Sequence, residues 1–166
     1  MNSLINFKLK TKDLIKKENI YYILFILIVF LLDRFSKLKT ITGFSESTYY
    51  VNDYINLNLI WNIGIGFGIL STNSSLLYNL VTALIGSVII FLIYIFMTST
   101  KMDKFIYSII IGGALGNFYD RLVYKAVPDF VDIHYGNFHW FTFNVADIFI
   151  SIGIITFILR NFFVKI

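Results

Sequence analysis

Five aspartates stand inside or just beside apolar runs: Asp33, Asp120, Asp129, Asp132 and Asp147. Ionisable groups within apolar spans are costly and mark functional sites by default. Two carboxylates within about 3 Å cannot both ionise easily, so they share one proton and titrate as a unit. The ionised member can take a proton from water while the protonated member polarises a carbonyl. That is hydrolytic chemistry, and on this scheme it needs no metal and no cofactor. Nearby polar residues would orient such a pair. Asp33 and Lys37 are four apart and can pair on one helix face. Asn117, Asp120 and Arg121 are spaced i, i+3, i+4, and Asn144, Asp147 and Ser151 share another face. The bland readings are structural: Asp33–Lys37 as a snorkelling ion pair, Asp120–Arg121 as a second pair, and Asn62 as a turn residue before Gly64. Asp147 has no cation within four residues and resists such a reading. His134 and His139 lack a helical ligand spacing and read as interface residues rather than metal ligands.

The elements that carry these groups belong to a membrane. Of 166 residues, 57% are hydrophobic and 14% charged, with a mean hydropathy of +0.74. A soluble domain carries about 25% charged residues. The net charge of +4 and pI of about 9.2 come from Lys and Arg flanking apolar runs. There they set orientation and touch anionic lipid, and no groove-reading motif suggests nucleic acid. Cysteine is absent, which excludes disulfides and thiolate chemistry.

The pattern predicts a mainly α, polytopic protein forming a single membrane domain over 1–166, with four transmembrane helices at about 20–41, 76–98, 105–121 and 143–160. Residues 1–19 are a Lys-rich cytoplasmic stub that no small-residue cleavage site follows. The apolar run 20–32 is too short to cross a core of about 30 Å, so the first helix must continue through Asp33 and Lys37. Nine Lys and Arg fall on the side of the N-terminus and five on the other, which predicts both termini in the cytoplasm. At 1.5 Å per residue, Asp33, Asp120 and Asp147 then lie at one depth, roughly 20 Å from the inner boundary. Asp129 and Asp132 can reach the same layer. Outer segments occupy about 42–75 and 122–142. In the first, Ile55, Leu57, Leu59 and Trp61 alternate with Asn56, Asn58, Ile60 and Asn62, which predicts a small extracytoplasmic β-sheet between helices 1 and 2. Gly64, Gly66 and Gly68 should turn the chain. The second is rich in aromatics that favour the membrane interface. Gly112 and Gly116 form a GxxxG that permits close helix approach. Spacing alone does not choose between Asp120 and Asp129 as the partner of Asp147.

Five segments in order resemble the lipoprotein signal peptidases (type II signal peptidases). Asp33-Arg34-Phe35-Ser36-Lys37 resembles their Asp-x-x-Ser/Thr-Lys motif, and Trp61 to Phe67 their Asn-x-Gly-Ala-Ala-Phe segment. Gly112 to Arg121 is similar to their third-helix signature, Val127 to Asp132 to their Val-Val-Asp-Phe-Ile motif, and Phe143 to Asp147 to their last one. The resemblance implies an aspartic endopeptidase of the bacterial inner membrane. Its substrates would be prolipoproteins, cleaved just before a diacylglyceryl-modified cysteine whose acyl chains stay in membrane lipid. It implies a catalytic pair of Asp129 and Asp147, near the outer face. Asp33, Lys37, Asn62, Gly64, Asn117, Asp120, Arg121 and Asn144 would support it or bind substrate, with Asp120 holding Arg121. No oligomer is required. The departures are Arg34 where Gln is frequent, Ile65-Gly66 in place of two alanines, and Pro128 before Asp129, which fixes φ and removes a donor. The competing readings are a proton- or ion-coupled carrier, which needs carboxylates staggered through the membrane, and a non-catalytic adaptor with buried polar pairs.

Overall fold

The computed structural model describes residues 17–43, 48–64 and 75–163. The Lys-rich stub up to Lys16, and Gly66 and Gly68, lie outside the described residues. Four long helices appear among those described: α1 (Lys17–Gly43), α2 (Ser75–Thr98), α3 (Lys101–Tyr124) and α4 (Val145–Phe163). The first runs unbroken through Asp33 and Lys37, as the length of its apolar run demands. By length and composition α1, α2 and α4 are apolar enough to cross a membrane. Their outward side chains, such as Leu24, Leu84, Phe91 and Ile155, are half-exposed or more, a surface suited to lipid. Helix α3 is as long as α2 but less apolar, because it is the centre of the bundle. It buries Ser108, Asn117, Asp120 and Arg121 alongside Ile106, Ile110 and Ile111.

Glycines set how closely α3 meets its neighbours. A Cβ at Gly112 would come within 2.7 Å of Val29 Cβ on α1, and one at Gly116 would press on the Asp33 carboxylate. One residue round the helix, a Cβ at Gly113 would lie 2.7 Å from the Ala146 carbonyl on α4. The GxxxG thus joins α3 to α1, and the extra glycine joins it to α4. Thr100 caps α3 by accepting from the Asp103 amide at 3.4 Å, and Asp103 pairs with Arg160 at the far end of α4.

The sheet has four antiparallel strands in the order β1 (Tyr49–Asn52), β2 (Ile55–Asn62), β3 (Val127–Tyr135), β4 (Phe138–Phe143). The alternation at 55–62 forms β2 as anticipated. The second outer segment contributes half of the sheet, so it is not confined to the stretch between the first two helices. Pro128 sits at the second residue of β3, where a missing donor is tolerated. The register pairs Ile60 with Asp129 and Asn62 with Val127. This pairing carries Asn62 to the head of β3, and β4 leads straight into α4.

Candidate active site

Asp147 is positioned by a reciprocal cap. Asn144 precedes α4, and its Oδ1 accepts from the Asp147 amide at 3.1 Å. The Asp147 carboxylate accepts in return from the Asn144 amide at 3.2 Å. This is a capping box with Asn and Asp in the two roles. It holds the carboxylate at the positive end of the helix. The Asn144 side-chain amide then donates to Asp129 Oδ1 at 2.6 Å. One residue therefore touches both carboxylates.

Asp129 is buried in β3, and its second oxygen accepts from Asn62 Nδ2 at 2.9 Å. Asn62 is itself fixed, since its Oδ1 accepts from the Gly64 amide at 2.8 Å. Burial, with the neighbouring Asp147 charge added to it, pushes the Asp129 carboxyl up to about 6 despite the donors from Asn62 and Asn144. Both carboxylates line a cavity of about 340 Å³ with Asn62, Asn117, Arg121 and Asn144, walled by Ile85, Ala114, Ile150 and Ile154. A few convergent polar groups in an apolar cleft are what a substrate site requires.

Behind the cavity lies a buried charge cluster. Lys37 Nζ lies 2.8 Å from Asp33 Oδ2, 2.7 Å from Asp120 Oδ2 and 2.8 Å from Asn117 Oδ1. Arg34 pairs with the other side of Asp120 and packs over the Tyr119 ring, 4.7 Å from its centre. The cluster holds two cations and two anions and is balanced. It reaches the pocket by two routes. Asp33 Oδ1 accepts from the Ala146 amide at 2.9 Å, in the first turn of α4. Lys37 can only donate, so it fixes the Asn117 oxygen toward itself and turns Nδ2 to Asp147 Oδ1 at 2.8 Å.

Asp33, Lys37, Asn62, Gly64, Asn117, Asp120, Arg121, Asp129, Asn144 and Asp147 all fall in this assembly, whereas Asp132 lies apart with His139. The expected pairing of Asp120 with Arg121 is corrected: Asp120 faces Lys37 and Arg34. Residues i and i+1 on a helix do not face each other. Arg121 instead donates to the Asn117 carbonyl at 3.0 Å and the Gly64 carbonyl at 3.1 Å, tying the end of β2 to α3. Arg34, which in the sequence stands out only as a departure from the frequent Gln, is a further member of the cluster; its partner Asp120 is on another helix, so spacing along α1 carries no signal for it.

Residues 25–163 match the family described as signal peptidase (SPase) II. The chain belongs to that family. It is similar to the lipoprotein signal peptidase of Pelagibacter ubique (strain HTCC1062), 46% identical over 153 residues, covering 90% of this chain and 92% of the relative. That of Francisella tularensis subsp. novicida (strain U112) is 35% identical over 159 residues, with 92% and 98% covered. A solved bacterial membrane enzyme, determined in meso at 2.3 Å resolution, superposes with a TM-score of 0.71 at 28% identity, covering 86% of this chain and 87% of that one. Signal peptidase II enzymes are membrane aspartyl proteases, and this chain is a multi-pass membrane protein of that kind.

Proposed function

We propose that the enzyme removes the signal peptide from diacylglyceryl-modified prolipoproteins, with Asp129 and Asp147 as the catalytic pair. The observation that carries this reading is Asn144 bridging two carboxylates in one cavity of a signal peptidase II chain. Asp129, whose carboxyl is held up to about 6, is the proton-bearing member. Asp147, held at the positive end of α4 by its reciprocal cap with Asn144, is the base. Asp147 takes a proton from water as the oxygen attacks the scissile carbonyl carbon, and Asp129 gives its proton to the carbonyl oxygen. A tetrahedral diol forms. On collapse the C–N bond breaks and Asp147 returns a proton to the leaving amine, while the diol returns one to Asp129. Asn62, Asn117 and Asn144 hold the carboxylates, and Arg121 and Gly64 shape the wall.

The same reading places 1–166 as one membrane domain in a bacterial inner membrane, termini cytoplasmic and the pair near the outer face. There a lipidated cysteine can keep its acyl chains in the bilayer while water reaches the scissile bond. A single chain supplies all the named groups, so no oligomer is needed. Nothing in the arrangement favours a carrier.

The test of substrate class compares a diacylglyceryl-modified prolipoprotein with its unmodified form, using purified enzyme in detergent. Cleavage only of the lipidated precursor is expected; equal rates on both would remove lipid recognition from the account. Orientation is checked by single cysteines, since the chain has none of its own. An impermeant maleimide should label Asn137→Cys in intact spheroplasts and Lys101→Cys only after lysis; the reverse order would invert the topology.

A further inference from the structure

Asp132, His134 and His139 lie outside the pocket, on the β3–β4 hairpin. Asp132 and His134 are two apart on β3 and so share one face, and His134 is paired across the strands with His139. Five residues apart, the two histidines fit no helical ligand spacing, but an antiparallel turn makes them neighbours. Their rings stack with centres 5.4 Å apart. One ligand atom from each of the three residues falls within 4.8 Å of the others. His139 Nδ1 is 2.7 Å from Asp132 Oδ2, and His134 Nδ1 is 3.9 Å from the same oxygen. Around a tetrahedral ion with bonds of about 2.1 Å, ligand atoms stand about 3.4 Å apart, midway between these separations.

An ion pair between Asp132 and His139 accounts for part of this, but not for His134. That residue is 9% exposed, and its Nδ1 is buried with no partner among the described residues while turned toward Asp132. A buried ring nitrogen without a partner is costly. Its other nitrogen, Nε2, is 3.5 Å from the Asn56 side-chain amide, whose own oxygen is buried without a partner among the described residues. With that amide turned over, the Asn56 oxygen accepts from Nε2–H. The ring is then held in the tautomer that leaves the Nδ1 lone pair free. A ligating histidine is oriented in just this way by an acceptor on its other nitrogen.

We infer that Asp132, His134 and His139 form a binding site for a divalent transition metal of the zinc type, separate from the catalytic pair. Two imidazoles and one carboxylate suit such an ion, and the fourth position is open to water, because His139 is 58% exposed on its side chain. The site is structural. Along β3 the alternate residues Val127 and Asp129 line the catalytic cavity, whereas Asp132 and His134 point to the other face. An ion there clamps β3 to β4 behind the strand that presents Asp129.

The test titrates zinc into tag-free, chelator-stripped enzyme in detergent by calorimetry, and cobalt(II) with the visible d–d absorption as readout. One ion per chain is expected, with a cobalt spectrum of low coordination number. His139→Ala, at an exposed position that leaves folding intact, should weaken binding at least about tenfold, as should His134→Gln. Asp147→Asn should bind as the unmodified enzyme does. No binding, or affinity unchanged in His139→Ala, would overturn the site; loss in Asp147→Asn alone would move the ion to the catalytic pair and overturn it equally.

Discussion

Replacing Lys37 by Met removes the ammonium that links the buried cluster to the pocket. The group is wholly buried, with three oxygens at 2.7–2.8 Å. Without it, Arg34 is the one cation left in the described cluster and pairs with Asp120, so the buried Asp33 charge is uncompensated. Breaking a buried pair in this way costs about 3–5 kcal/mol. Lys37→Met/Asp33→Asn restores the balance, leaving the Arg34–Asp120 pair. The two changes should therefore couple by about 1–3 kcal/mol, the double variant being less destabilised than the sum of the singles. Activity should behave differently. In both Lys37→Met backgrounds Asn117 loses what orients its amide, and with it the bond to Asp147 Oδ1. A hydrogen bond to a charged group is worth about 1.5–3 kcal/mol, so kcat should fall about ten- to hundredfold and stay low in the double variant. Unfolding in detergent and steady-state cleavage by the same preparations read the two effects. Additive stabilities would refute the charge-balance argument. Full kcat in the double variant would refute the relay through Asn117.

Three other outcomes follow from the geometry. If Asp129 works protonated, kcat/KM should decline as pH rises past about 6, where its carboxyl ionises; a profile climbing through pH 6 to a plateau would mean that Asp129 acts as the base. Gly112→Ala puts a methyl within 2.7 Å of Val29 Cβ and should cost about 1–3 kcal/mol in unfolding measurements by forcing α1 from α3; an unchanged midpoint would show that the helices can separate freely. Asn144→Ala removes the α4 cap, worth about 1 kcal/mol, and also frees both carboxylates. Its kcat should therefore fall far more than its stability, and a loss in stability alone would deny it the bridging role.

Much of this architecture was legible because charge inside an apolar run has few explanations. Asp33 and Lys37 had to lie within a helix, since 13 apolar residues cannot span a bilayer. The period-two alternation at 55–62, interrupted at Ile60, argued for a half-buried strand. The strands β3 and β4 were hidden for a physical reason. Phe138, Trp140 and Phe141 satisfy both a strand and a membrane-interface belt, and Pro128 argues against a strand unless it lies at the strand's start. Spacing along one helix could not reveal that Asp120 turns to Lys37 and Arg34, because that partnership is made across two helices. Nor could it bring His134 beside His139, which requires knowing where the hairpin turns. The choice of Asp129 over Asp120 came from the resemblance alone.

The central claim is that Asp129 and Asp147 together activate water. Its most direct test is single-turnover cleavage of a lipidated prolipoprotein by Asp129→Asn and Asp147→Asn enzymes whose folding is verified by unfolding in detergent. Each should lose at least about 10²–10⁴ in rate while still binding the precursor. Near-normal cleavage by either folded variant, or loss in Asp120→Asn with Asp129→Asn active, would contradict the account.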